Sequence, residues 1–458
     1  MIGQPGSLLA AAAALRAGEI TSVALTESVL AAADRLDGWL GVYLTRLDDQ
    51  ALAAAARADR ELAAGLDRGP LHGIPVGVKD SIALAGAPTT AQSLVADPGF
   101  HGGRDAAVVA RLRAAGAVLT GKTTLMEFGI GLPDAAKPFP VPRHPLDPSR
   151  WPGGSSSGSA SGVAAGMFLA GIGSDTAGSI RMPAAFCGVT GLMPTFGRVP
   201  TAGCVPLGPS LDRVGPLAHG ALDCAAVLAA LTSFTMPRLD DDLTGLRIGV
   251  VREQHFPAHG DPAVAPAFDA ALDVLAGLGA ELTEVRLPLW PELITATLVT
   301  ADCEGLAYHR DRLRTRWPDY TVAARGLLAN GALVSGADYV QAQRVRRAGR
   351  AAVAALFDVV DVLACPTAST GAPPLSALTT PAGHQDNDGL FGLVHTPYWN
   401  SVRNPVLALP MGRTAEGLPL SLQLAGPDFG EQLLIQIGAA FQEHTGWHRP
   451  LSTVEVAA

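Results

Sequence analysis

The feature that most constrains the fold is a helix–glycine–strand unit that occurs twice. Residues 104–115 have helical character, Gly116 closes the helix, and Ala117-Val-Leu-Thr120 reads as a strand. The order repeats with Pro262 to Leu278, then Gly279, then Glu281 to Leu287. A glycine just past a helix accepts the left-handed conformation that ends it. Such alternation predicts an α/β fold, a large sheet covered by helices on both faces. Other elements fit this frame. Thr21 or Ser22 can cap a helix whose apolar positions Leu25, Val29, Ala32 and Leu36 share one face, and an Ala-rich helix is expected over about 50–64. Gly73 to Asp80 reads as a short apolar strand, as does Leu246 to Val251. The acidic stretch 233–245 is read as a connector inside a single domain spanning 1–458, with a core at about 70–220.

Composition removes several function classes. Charged residues make up 16% of the chain, the net charge is −9, and no run of Lys or Arg exceeds two. Nucleic-acid binding needs a basic patch to displace counterions, so no nucleic-acid partner is expected. The N-terminal apolar run has no basic residue before Arg16, unlike a secretory signal. Trp151 to Ser174 carries no charge, but Gly and Ser crowd it, which predicts a buried loop and helix and no membrane span. Five scattered cysteines argue against a disulfide framework and for a reducing, cytoplasmic setting. A homodimer is compatible with these features.

The most specific signal lies in residues 151–188. It reads Trp151-Pro-Gly153-Gly154-Ser155-Ser156-Ser157-Gly158-Ser159, then Gly173-Ser174-Asp175-Thr176-Ala177-Gly178-Ser179-Ile180-Arg181-Met182-Pro183. With these residues the chain resembles the amidase signature family, whose hallmark is a Gly-Gly-Ser-Ser-type loop followed 24 residues later by a Gly-Gly-Ser-Ile-Arg-type turn; Ser155 and Ser179 have that spacing. The resemblance extends to Gly77-Val78-Lys79-Asp80, Gly121-Lys122-Thr123-Thr124, Ser210-Leu-Asp212-Arg-Val-Gly215-Pro216 and Gly417-Leu-Pro419-Leu-Ser-Leu-Gln423. It implies a large mixed sheet with helices on both faces, no cofactor, and cleavage of a small-molecule carboxamide through an acyl-enzyme. It also implies roles: Ser179 as nucleophile, Ser155 (after a cis peptide bond in relatives) as proton relay, and Lys79 as base.

The chemistry agrees with that division. A serine hydroxyl attacks poorly until a base takes its proton. A lysine amine can be that base only when neutral, and moving its pKa from about 10.4 to about 7 costs roughly 4–5 kcal/mol. Burial supplies shifts of that size. Lys79 follows the apolar run Ile74-Pro-Val-Gly-Val78, where a desolvated amine is expected. Asp80 beside it would hold the amine protonated if they met, but strand alternation sends the two side chains to opposite faces. The turn Thr176-Ala177-Gly178-Ser179 is expected to aim backbone N–H groups at the oxyanion, with Asp175 and Arg181 bracing it. Gly129 and Ile130 are expected to line the acyl pocket, with Phe391, Tyr398 and Trp399 as further walls.

Blander motifs compete. Gly116-Ala-Val-Leu-Thr-Gly121-Lys122-Thr123 matches the phosphate-loop pattern, yet its helix comes first and its supposed loop is a strand, so Lys122 is read as structural. His255 and His259 have a zinc-like spacing broken by Pro257, and no metal is expected. Cys187 is read as a core thiol. Two alternatives accompany the amidase reading. One is the glutamine-hydrolysing subunit of a tRNA-dependent amidotransferase, from whose Leu-Gly-Thr-Tyr-type segment residues 327–335 depart. The other is a non-catalytic binding or assembly relative.

Overall fold

The computed structural model describes residues 6–237, 240–378 and 392–447. In chain order its main elements are α1 (Leu8–Ala17), α2 (Ser22–Leu40), β1 (Tyr43–Arg46), α3 (Asp48–Ala63), β2 (Pro75–Lys79), α4 (Ala107–Ala114), β3 (Val118–Thr123), α5 (Ser157–Ala164), β4 (Ala170–Asp175), α6 (Arg181–Cys187), β5 (Thr190–Met193) and β6 (Arg213–Ala218). They continue with α7 (Ala221–Leu231), β7 (Arg247–Val250), α8 (Val264–Gly277), β8 (Glu281–Glu284), α9 (Trp290–Arg316), α10 (Val322–Leu333), α11 (Gly336–Leu356), β9 (Val362–Pro366), α12 (Pro397–Val402), β10 (Val406–Arg413), β11 (Pro419–Ala425) and α13 (Glu431–Thr445).

All eleven strands form one sheet in the order β1-β3-β2-β4-β6-β5-β10-β11-β9-β7-β8. It is mixed: β2 runs parallel to β3 and β4, and β7 to β8 and β9, while the remaining pairs are antiparallel. Period-2 alternation splits each strand between two cores. Val362 and Ala364 of β9 join the core shared with α4, α7, α8 and α13, whereas Leu363 and Cys365 join the one packed under α9, α11 and α12. In β10, Leu407 and Leu409 face the first core, and Ala408 meets α5 and α6 on the other side. Helices therefore cover both faces, as the alternation predicted.

Both helix–glycine–strand units form, with Gly116 at φ +77° and Gly279 at φ +101°. The first helix is shorter than expected. It starts at Ala107 because Asp105 turns inward and its carboxylate accepts the Ala85 N–H. Thr21 caps α2 by accepting the Ala24 N–H. The phosphate-loop look-alike is the tail of α4 followed by β3, and Lys122 lies fully buried in that strand, 2.7 Å from Asp80. Asp80 also accepts from the Thr90 N–H (3.0 Å) and hydroxyl (2.5 Å). Its carboxylate thus faces away from Lys79, as alternation required. Among the described residues no helix is long and apolar enough to cross a membrane.

Removing one member of a buried ion pair strands the other in low dielectric, at a cost of about 3–5 kcal/mol. Lys122→Met is expected to lower stability by that order in urea unfolding, and adding Asp80→Asn to recover part of the loss. A single variant as stable as the parent would refute this role for the pair.

Candidate active site

The site forms where two parallel strands end. Val78 of β2 pairs with Ile172 of β4, so Lys79 and Ser174–Asp175 emerge side by side at the carboxyl ends. Ligand crevices in α/β sheets occur at such ends. The loop before α5 supplies Ser155, whose peptide bond from Gly154 is cis. Lys79 is fully buried, and its Nζ lies 2.8 Å from Ser155 Oγ, 2.9 Å from Ser174 Oγ and 3.4 Å from the Ser174 carbonyl. Among the described residues no carboxylate pairs with it. Burial pushes its pKa down to about 7, against the more distant Asp175 and Asp212 carboxylates, which favour the charged form.

The turn that follows β4 is organised by Asp175. One carboxylate oxygen accepts from Gly178 N–H (2.8 Å), Asn400 Nδ2 (2.9 Å) and Arg181 Nη2 (3.0 Å). The other accepts from Arg181 Nε (3.0 Å) and Ile180 N–H (3.1 Å). Burial alone would raise this acid, but the Arg181 guanidinium and the hydrogen bonds hold it at about 2. Arg181 reaches onward to the Thr396 carbonyl (2.8 Å), Asn400 Oδ1 (2.6 Å) and Gln423 Oε1 (3.1 Å). Asp175 and Arg181 thus tie the turn to residues 396, 400 and 423.

This geometry corrects the expected oxyanion donors. The Gly178 N–H is already committed to Asp175, which leaves Thr176, Ala177 and Ser179 with backbone N–H groups that have no acceptor among the described residues. Gly178 matters sterically instead. At φ +130°, a Cβ there would sit 1.9 Å from Thr396 Oγ1. That hydroxyl donates to the Ala177 carbonyl at 2.7 Å and closes the turn.

Ser179 is half-buried, and its carbonyl accepts the Ser156 N–H at 3.1 Å, which holds the two serine segments together. Among the described residues no hydrogen bond joins Ser155 Oγ to Ser179 Oγ. A cavity of about 130 Å³ opens beside Ser155 and Ser174, walled by Gly129, Phe128, Thr176, Leu207, Cys204 and Asp212. Ser179 itself is not part of this wall.

Several expected pocket residues lie elsewhere. Gly129 lines the cavity, but Ile130 is buried among Phe128, Leu207 and Tyr320. Tyr398 and Trp399 are fully buried under α9 and α11, and the Tyr398 hydroxyl donates to the Pro288 carbonyl. They are core residues because α12 packs its whole length against that layer. Phe391 lies outside the described residues. Buried His255 packs on His395 and Trp290, whereas His259 is exposed, so the two do not converge. Cys187 is buried, and burial pushes its thiol well up.

Four contributors were missed in the sequence. Ser174 sits in the motif beside Asp175 and could have been found by asking what else faces Lys79. Asp212 accepts from the Thr176 hydroxyl (2.5 Å) and from the Leu207 and Gly208 N–H groups, and it too lay in a quoted motif. Thr396 and Asn400 had no local signal at all.

Comparison with known proteins places the chain in a family. Residues 24–435 match the family model described as Amidase. The chain belongs to the amidase signature family. A glutamyl-tRNA(Gln) amidotransferase subunit from Roseiflexus sp. (strain RS-1) is 40% identical, with 97% of each chain covered. A solved amidase superposes with a TM-score of 0.87 at 32% identity, covering 96% of this chain and 99% of that one. Peptide amidase from Stenotrophomonas maltophilia gives 0.82 at 31%, covering 97% and 98%. This member of the amidase signature family is an amide hydrolase, and the non-catalytic alternative falls away.

A lysine whose pKa is depressed on folding binds fewer protons folded than unfolded between about pH 7 and 10.5, so stability rises with pH across that window. Below pH 7 the full cost is present, on the order of 4–5 kcal/mol. Lys79→Met is therefore expected to unfold at higher urea concentration than the parent at pH 6, with a narrowing gap towards pH 10. A less stable variant at pH 6 would show that the amine is not carried at a cost.

Proposed function

We propose that the chain hydrolyses a small-molecule carboxamide through an acyl-enzyme on Ser179. The observation that carries this is the fully buried Lys79 amine 2.8 Å from Ser155 Oγ, with no carboxylate partner among the described residues. Neutral Lys79 takes the Ser155 proton as Ser155 takes that of Ser179, whose oxygen adds to the carbonyl. The oxyanion forms facing the N–H groups of Thr176, Ala177 and Ser179. The proton then returns through Ser155 to the leaving nitrogen, the C–N bond breaks, and water releases the acid by the same relay. Hydrogen bonds of such relays often tighten only once substrate is bound, which fits the open Ser155–Ser179 step.

The cavity supports a small amide that carries no ammonium group. The acid on its wall, Asp212, is already engaged by three donors. A zwitterionic amino acid would find no spare carboxylate there. A second reading, glutamine hydrolysis within a tRNA-dependent amidotransferase, is favoured by the curated relatives, which are 35–40% identical and carry the name of a component of that enzyme. Ammonia release from primary amides by the chain alone, with none from glutamine, supports the first. Turnover of glutamine only when the other amidotransferase components are present supports the second.

One sheet draws strands from both sides of 233–245, which fits a single domain. The five cysteines are all unpaired, which fits the cytoplasm. A homodimer is left to measurement of the mass in solution.

Ser179→Ala is expected to abolish hydrolysis and labelling by a fluorophosphonate probe; retained labelling would move the nucleophile elsewhere. Because only neutral Lys79 is competent, kcat/KM should fall about tenfold per unit below pH 7 and level off above it. A flat profile from pH 5 to 9 would exclude Lys79 as the base.

A further inference from the structure

Outside the relay, four guanidinium groups gather with no acid bridging them among the described residues. Arg213 opens β6, Arg346 and Arg350 lie one helical turn apart on α11, and Arg403 follows α12. Arg213 and Arg403 both approach the Phe196 ring, with guanidinium carbons 5.9 and 4.3 Å from its centre. Arg346 donates to Ser210 Oγ and the Ser210 carbonyl, each at 2.9 Å, three residues before Arg213. Among the described residues none of the four has a salt bridge.

The cluster is also short of acceptors. The Nε atoms of Arg213, Arg346 and Arg403 are buried with no hydrogen-bond partner among the described residues. Arg213 and Arg346 are 2% and 4% exposed, so bulk solvent does not reach them, and their remaining partners are the neutral Met193, Asn400, Gln343 and Ser210. Burial and neighbouring Arg403 and Arg350 push Arg346 down to about 10 against the pull of Glu304, and burial with Arg181, Arg403 and Arg346 pushes Arg213 down to about 9 against the pull of Asp175. Arg403 is lowered by burial and by Arg350, against Asp428 and Glu304, which favour its charge. The nearby acids are otherwise placed. Glu304 accepts from the Tyr339 hydroxyl and the Ser210 N–H, Asp175 is held by Arg181, and Asp428 is exposed.

Buried cations are ordinarily paired, because an unpaired one costs several kcal/mol. Guanidinium forks match oxyanions in shape and charge. We propose that Arg213, Arg346, Arg350 and Arg403 form an oxyanion-binding site for a carboxylate, sulfate or phosphate group. Arg350 and Arg403 are half-buried and form its outer edge, and Arg213 and Arg346 form its floor. The anion comes either as a carboxylate on the amide substrate or as a free ion, since Arg213 also lines the cavity beside Ser155. The site does not depend on Ser179 being the nucleophile.

The test is thermal unfolding of the full chain in sodium sulfate, with ionic strength held constant by sodium chloride. A saturable rise in Tm is expected for the parent, reduced or lost in Arg350→Gln and in Arg403→Gln. Arg350 makes no side-chain hydrogen bond among the described residues, so its variant keeps the test valid should Arg403→Gln fail to fold. Sulfate also stabilises proteins generally by exclusion from their surfaces. An equal, unsaturating rise in parent and Arg350→Gln would overturn the proposal. Its source is then read from succinamate against butyramide. A lower KM for succinamate that disappears in Arg350→Gln identifies the substrate carboxylate, and a sulfate response without that preference identifies a free anion. No turnover of either amide with the sulfate response intact would sink the hydrolytic reading alone.

Discussion

An amine kept dry is the constraint around which this protein is arranged. Lys79 stands at the end of β2 with two serine hydroxyls and one carbonyl within reach and, among the described residues, no acid in contact with it. Both local carboxylates that could neutralise its basicity are diverted. Asp80 points through the sheet to Lys122, and Asp175 is taken up by Arg181, Asn400 and the amides of its own turn. Either acid at contact distance would favour the charged form of Lys79. Alternation along β2 and β3 therefore sets electrostatics as well as packing, since it assigns one lysine to the acid and leaves the other without one.

The same carboxylate that is kept from Lys79 shapes the turn that carries Ser179. Five hydrogen bonds converge on Asp175, and two of them fix Gly178 and Ile180 on either side of Ser179. Backbone donors fixed in advance need no reorganisation when charge develops, which makes them effective in a water-poor site. One glycine permits this, because any side chain at position 178 would collide with Thr396.

The elements most legible in the sequence were those set by local physics. Gly116 and Gly279 ended helices where left-handed backbone was needed, and the uncharged run 151–174 became a buried loop, α5 and β4. Lys79, Ser155 and Ser179 were legible because they sit in motifs carried by one block of parallel strands and the turns that follow it. What stayed hidden depended on distant chain meeting the motif. Ile130, Tyr398 and Trp399 have the composition of pocket walls, and only packing, of Ile130 against α10 and of Tyr398 and Trp399 under α9 and α11, reveals them as core. Gly178 was read as a donor because a carboxylate three residues earlier cannot be seen to curl back onto its amide. Arg213, Arg346 and Arg403 are far apart in sequence, and nothing local marks them as neighbours.

The brace on the turn also imposes an order in time. Ala177 and Thr396 are 219 residues apart along the chain, and Arg181 and Gln423 are 242 apart. A ribosome that has released Lys79, Ser155 and Ser179 has therefore not yet delivered the groups that hold the turn in shape. Until α12 and β11 dock, the growing polypeptide carries Lys79, Ser155 and Ser179 without the contacts that hold their turn rigid. The geometry of the turn is therefore completed late in synthesis, once the last strands of the sheet are in place.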